Sequence, residues 1–221
     1  MKKIFFTIMT CAVFFAASAQ MTIKPVVKTP VIDADASDWS DNWIDLTLEK
    51  ENSTTHDMTA KIQLGYNDEF LFVIVDIIDA TPNNNVKVIK NAWERDCAEL
   101  FFSMDTATFK YDGKYREGVW QIRKQRVPDE TGTDINIPNG VNGNAGMIGG
   151  GYTWNVNSLT SDPDFKSETS AESKSYVLEF QIPWSVLTFD LSKWDGKYFK
   201  FDIQVADNTT GAPENGRTQH R

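Results

Sequence analysis

The stretch TAKIQLGYNDEFLFVIVDIID, residues 59–79, decides the fold class. An alternating run up to Tyr66 gives way to Asn67-Asp68-Glu69, then to a nearly continuous apolar run from Phe70 to Ile78. Alternation with a period of two places one face of a strand in a core, and the acidic turn folds the next strand back as a hairpin. The second strand is apolar at successive positions, so it is buried on both faces or lies at the centre of a sandwich.

Working outward, CAELFFSMD (97–105), GVWQIRKQ (118–125), SYVLEFQIPW (175–184) and YFKFDIQVAD (198–207) are further runs of strand length. Each is rich in aromatic and branched residues. Gly, Asn, Asp and Pro fill the segments between them, as turns require. Helical patterning is scarce. WSVLTFDLSKW (184–194) holds one short helical turn after Pro183, and Asp129 to Gly151 reads as one long loop. Loops of that length are uncommon and often functional. No internal repeat is visible, so the expectation is an all-β chain folded as one antiparallel β-sandwich of jelly-roll or immunoglobulin-like type.

The first 19 residues stand apart. Lys2 and Lys3 precede an apolar run that ends in Ala17-Ser18-Ala19, the layout of a secretory signal peptide cleaved after Ala19. The run is too short for a good spanning helix, and Cys11 lies inside it rather than at its end. The sequence therefore predicts an exported domain over residues 20–221, with a secreted, periplasmic or cell-surface destination and no membrane span. Loss of the two lysines takes the formal charge from −9 to about −11. So acidic a chain is a poor candidate for nucleic acid or an anionic membrane surface, because phosphate binding needs clustered Lys and Arg. Cys97 is the single cysteine beyond the leader, so no internal disulfide forms and stability must come from the core.

Five blocks, in order, carry a resemblance. VIDADASDW (31–39) resembles the "I-D-G-x-x-D-x-W" opening of family 9 carbohydrate-binding modules. The hairpin at 62–79 resembles that family's acidic turn followed by a valine-rich strand and an Asp. NAWERDCAELFFSMD (91–105) is similar to "P-W-x-x-D-x-V-E-I-F-I-D", with Ala92 in place of proline. SYVLEFQIPWSVL (175–187) is similar to "Y-x-V-E-x-x-I-P-W", and FKFDIQVAD (199–207) to "I-G-F-D-I-Q-V-N-D". Together the blocks span roughly 31–208, nearly the whole chain after the leader.

The resemblance implies a β-sandwich that holds a mono- or oligosaccharide, or a polysaccharide chain end, at its rim. It also implies attachment to larger glycan-degrading proteins such as xylanases, no required cofactor, and structural calcium as an option. The family clamps its ligand between two tryptophans. Trp93 falls on the first, Glu99 on the acid six residues later, and Gln204 on a glutamine that bonds sugar. Gln121 falls near an arginine position, for which the neighbouring Arg123 is the substitute. The second clamp tryptophan and a closing strand have no counterpart before the chain stops at GRTQHR; Trp154 and Trp194 are the remaining candidates. A missing last strand would leave an unpaired sheet edge.

The chemistry of such a site is simple. Axial C–H bonds of a pyranose pack on an aromatic face, while carboxylate and amide groups bond its hydroxyls. Read without the resemblance, Trp93 equally caps the core. Alternation in 97–105 puts Cys97, Glu99, Phe101 and Ser103 on one face, and Ala98, Leu100, Phe102 and Met104 on the core face. Cys97 is then a packing residue rather than a nucleophile. A glycosidase would need two carboxyls at a set distance; Glu99 with Asp96 and Glu179 are all placeable, and none is singled out. The acids Asp33, Asp35, Asp38 and Asp41 suggest a calcium loop but lack the glycine and terminal glutamate of an EF-hand, so an ordinary acidic turn is favoured. His56 and His220 are dispersed and supply neither a zinc nor a haem ligand set.

Overall fold

The computed structural model describes residues 21–46, 58–82, 95–104, 119–127, 135–136, 164–187, 196–209 and 217–220. The strands, in chain order, are β1 (Lys24–Pro25), β2 (Ile44–Asp45), β3 (Met58–Tyr66), β4 (Phe70–Asp79), β5 (Cys97–Ser103) and β6 (Val119–Gln125). They continue as β7 (Ile135–Asn136), β8 (Lys166–Ala171), β9 (Ser175–Pro183), β10 (Lys200–Asn208) and β11 (Arg217–His220). Among the described residues one short α-helix, α1 (Trp184–Leu187), follows β9 directly, where the sequence predicts a helical turn. One sheet runs β1-β3-β4-β9-β8, with β2 also on β3; the other runs β11-β10-β5-β6-β7. All pairings are antiparallel except β1 on β3.

The hairpin at 59–79 forms in the predicted register, closed by Asn67, whose side-chain oxygen accepts from the N–H groups of Glu69 and Phe70 at 2.9 and 2.7 Å. Its second strand is central in its sheet. Leu71 through Val75 are fully buried, on both faces of β4. Inward residues of both sheets make one core: Leu71, Val73, Val75 and Ile77 from β4, Leu178, Phe180 and Ile182 from β9, and Ala98, Leu100 and Phe102 from β5. Burying each larger side chain contributes about 1.5–3 kcal/mol. Trp120 of β6 belongs to this core, and its indole N–H donates to the Leu187 carbonyl at 3.0 Å.

Two features differ from the sequence reading. A strand does follow β10: β11 pairs with it from Val205↔His220 to Asn208↔Arg217, so β10 is not an edge. Its residues are polar, and polar residues suit an edge strand that must not attract other chains. Within the predicted 129–151 loop, β7 adds two residues to the edge of β6; most of that segment lies outside the described residues.

The segment before β2 docks on the outer face of the first sheet. Glu179, fully buried on β9, accepts from Asp33 N (2.9 Å), Ala34 N (2.7 Å) and the Trp39 indole N–H (2.7 Å). Ala34 stands at φ 59°, in the left-handed region that favours glycine, at the position where the family opening has glycine. A Cβ on Gly65 would lie 2.5 Å from Val26 Cγ1, so a larger residue there would force the Val26 side chain to move.

Burial raises the Glu179 carboxyl above its ordinary range; the Trp39, Ala34 and Asp33 bonds oppose this, and Asp38 adds a smaller upward push. A raised native pKa contributes stability below the ordinary value of 4.5 that is lost as pH rises through the native one. Glu179→Gln is expected to cost about 1–3 kcal/mol, because a donor amide faces buried N–H groups. Denaturation series from acid to neutral pH should show the wild-type advantage shrinking as pH rises; a constant gap would mean that the carboxyl titrates normally.

Candidate functional site

Antiparallel pairing places directly opposed residues on the same face of a sheet. Gln204 of β10 opposes Glu99 of β5, and Glu99 opposes Arg123 of β6. The three residues therefore form one row across the outer face of the second sheet. All are buried, with exposures of 4 %, 2 % and 4 % respectively. Arg123 directs both Nε and Nη2 at Glu99 Oε1. A buried charge pair of this kind offsets the cost of desolvating each charge only through the other.

The neighbouring rows extend the polar surface. On one side lie Ala206, Cys97 and Gln125, all buried, with Arg95 donating to Gln125 Oε1 at 2.6 Å. On the other side lie Asp202, Phe101 and Gln121. The alternation expected for 97–104 is observed. Ala98, Leu100, Phe102 and Met104 are in the core, and Cys97, Glu99, Phe101 and Ser103 are on the outer face.

Four of the five predicted site residues, Glu99, Gln121, Arg123 and Gln204, thus share one face. The register separates Arg123 from Gln121, however. Arg123 stands beside Glu99, whereas Gln121 stands beside Phe101, one row away. Trp93 lies outside the described residues, as do Trp154, Trp194 and His56.

The candidate acids are each engaged within the fold. Glu179 is on β9 of the first sheet, opposite the sheet that carries Glu99, and its oxygens are taken by the 33–39 segment. Asp96 accepts from the Asn208 backbone N–H at 2.9 Å, and Glu99 is ion-paired with Arg123. Asp33, Asp35 and Asp38 accept local backbone bonds. Asp33 accepts from Asp35 N (3.0 Å), Asp35 caps a 3-10 turn through Ser37 N (2.9 Å), and Asp38 accepts from Val31 N (2.6 Å).

A different carboxylate cluster does form. Asp79 at the end of β4, Asp96 just before β5 and Asp207 on β10 bring oxygens within 4.8 Å of one another, all three buried. The cluster spans the two sheets at one end of the sandwich. Tyr176 of β9, 1 % exposed, lies beside it, and its hydroxyl has no hydrogen-bond partner among the described residues. Burial, with the charges of Asp96, Cys97, Asp79 and Asp207 in support, raises the Tyr176 phenol well above its ordinary range. An all-oxygen donor set of this kind suits a hard cation such as calcium. The sequence signal was present but distributed: Asp79 ends β4 in DIID, Asp96 precedes β5 in WERD, and Asp207 is the last residue but one of β10, in QVAD.

The chain is thus a two-sheet sandwich, antiparallel except for β1 on β3, with a buried polar row on the outer face of the second sheet. The model of the family described as carbohydrate family 9 binding domain-like matches residues 32–220, and the chain belongs to that family. Among characterised relatives, the chain is 28% identical over 195 residues to exoglucanase XynX of Acetivibrio thermocellus, covering 86% of this chain and 14% of that one. It is 26% identical over 209 residues to endo-1,4-beta-xylanase A of Thermoanaerobacterium saccharolyticum, covering 93% and 14%. The chain thus spans only 14% of the length of these relatives. A family 9 carbohydrate-binding module from Caldicellulosiruptor kristjanssonii, solved in complex with glucose, superposes with TM-score 0.54 at 18% identity, covering 90% of this chain and 84% of that one. At this identity the likeness establishes the sandwich fold.

Proposed function

We propose that the chain is an exported, non-catalytic carbohydrate-binding module that serves glycan degradation. Glu99, Arg123 and Gln204 bond sugar hydroxyls, with Gln121 on the adjoining row and Trp93 as the stacking surface. The observation that carries this reading is the cross-strand row Gln204–Glu99–Arg123, which fixes carboxylate, guanidinium and amide side by side. Such a row carries the donors and acceptors that a polyhydroxylated ring needs, at exposures of only 2–4 %, so a ring must displace what covers the row to reach them. The leader-like pattern of residues 1–19 supports export, and the xylanase and exoglucanase relatives support a glycan ligand.

Titration calorimetry against glucose, xylose, cellobiose and xylo-oligosaccharides tests the proposal. Binding at millimolar or tighter affinity is expected, weakened by about tenfold in Gln204→Ala through loss of a bond worth about 1–1.5 kcal/mol. No heat with any sugar, or wild-type affinity in both Gln204→Ala and Trp93→Ala, would sink it. The mutual burial of Glu99 and Arg123 favours one other reading, a purely structural domain, and the same titration separates the two. Asp79, Asp96 and Asp207 fit a structural calcium ion, which would neutralise their charges and clip one sheet to the other.

A further inference from the structure

The end of the sandwich remote from the three aspartates holds a cavity that the polar row does not use. It occupies about 950 Å³ where β4 and β10 begin and β9 ends, walled by both sheets and by residues 21–23. Pockets that take small ligands span roughly 300–1,000 Å³. The floor is aromatic: Tyr66, Trp184, Phe199 and Phe201 line it, all half-buried. Trp184, Phe199 and Phe201 also pack against the core, and Trp184 meets Phe199 edge-on with ring centroids 6.0 Å apart. The Trp184 indole N–H donates to the Asn67 carbonyl at 3.0 Å, which fixes that ring. The mouth is open. Tyr198 is 54 % exposed there, and a Cβ on Gly196 would meet nothing within 4 Å among the described residues.

Polar groups at the cavity have bonds to spare. Asn67 spends its side-chain oxygen on the N–H groups of Glu69 and Phe70, and its amide nitrogen donates to nothing among the described residues. The Asp68 carboxylate is exposed at the tip of the same turn and has no partner among them. Lys197 and Lys200 at the rim offset Asp68, so the lining carries no strong field of the chain's own acidic sign. Aromatic faces beside an amide donor and a carboxylate acceptor match the C–H faces and hydroxyls of a pyranose.

We propose that this cavity is a second carbohydrate site, separate from the row, in which a pyranose stacks on Tyr198 and bonds Asn67 and Asp68. The two sites use opposite sides of one strand: Phe199 and Phe201 face the core from β10 and the residue before it, whereas Gln204 faces out. A module with two sites engages two stretches of a polysaccharide at once, and the second contact forms at the high effective concentration set by the first.

Calorimetry with cellobiose and xylobiose on wild type, Gln204→Ala, Tyr198→Ala and Asp68→Ala tests the assignment. Wild type should bind at least one of these sugars at two sites per chain. Tyr198→Ala and Asp68→Ala should each weaken one site about tenfold and leave the other unchanged, and Gln204→Ala should do the reverse. Both cavity substitutions fall on exposed residues, so neither opens the core. The Trp184 indole N–H gives a local readout: its NMR signal should move when sugar is added to Gln204→Ala. One site per chain with wild-type affinity in both Tyr198→Ala and Asp68→Ala overturns the cavity site and leaves the row standing. A Trp184 signal that stays put at saturating sugar overturns it as well. Binding that Gln204→Ala leaves untouched and Tyr198→Ala abolishes keeps the cavity and sinks the row, and no heat with any sugar overturns both.

Discussion

Arg123→Ala is expected to lose about 3–5 kcal/mol of unfolding free energy, measured by chemical denaturation. The loss exceeds the worth of the ion pair itself. Glu99 is 2 % exposed, so removing the guanidinium leaves its charge desolvated without its ion-pair partner. Replacing both partners, as Glu99→Leu with Arg123→Met, should recover most of the stability, since an apolar pair of similar volume carries no desolvation penalty. The double variant should fold and fail to bind sugar at the row. That combination would separate what the pair does for the fold from what it does for the ligand. If Arg123→Ala melts like wild type, the pair is too well hydrated to act as described.

The second large effect concerns Asp79, Asp96 and Asp207. Protein stripped with chelator and then given calcium at about a hundred times its dissociation constant should gain about 2.7 kcal/mol, a rise in Tm of roughly 5–10 °C. Asp207→Asn should lose most of that calcium-dependent rise. The reason is geometric. Asp79 belongs to one sheet and Asp96 and Asp207 sit on the other, so an ion among them would hold the sheets together in the folded state alone. Identical melting in chelator and in calcium would rule the ion out.

The hairpin, the sandwich and the outward face of β5 were legible because each depends on period-two alternation within one strand. Leu100 and Phe102 against Glu99 and Phe101 is such a local signal. Cross-strand register is a different matter. That Arg123 and not Gln121 stands beside Glu99 depends on how β6 slides along β5, which no property of either strand alone determines. The polar strands β8 and β11 were missed for a related reason: KSETSA and RTQH have no apolar face to announce them. The calcium question shows the same limit. The aspartates of 33–38 are close in sequence and spend oxygens on local N–H groups, whereas the three that converge are separated by many residues.

The docking of residues 31–39 on Glu179 also governs how the domain can be handled as a reagent. That segment and β1 lie on the first sheet, while the Gln204–Glu99–Arg123 row is on the outside of the second. Residues 21–23, however, line one cavity with Tyr198, Phe199, Lys200 and Phe201, at an edge of the sandwich where both sheets contribute. A bead, dye or carrier enzyme linked ahead of residue 21 would leave from that edge, with the outer face of neither sheet pressed against the support.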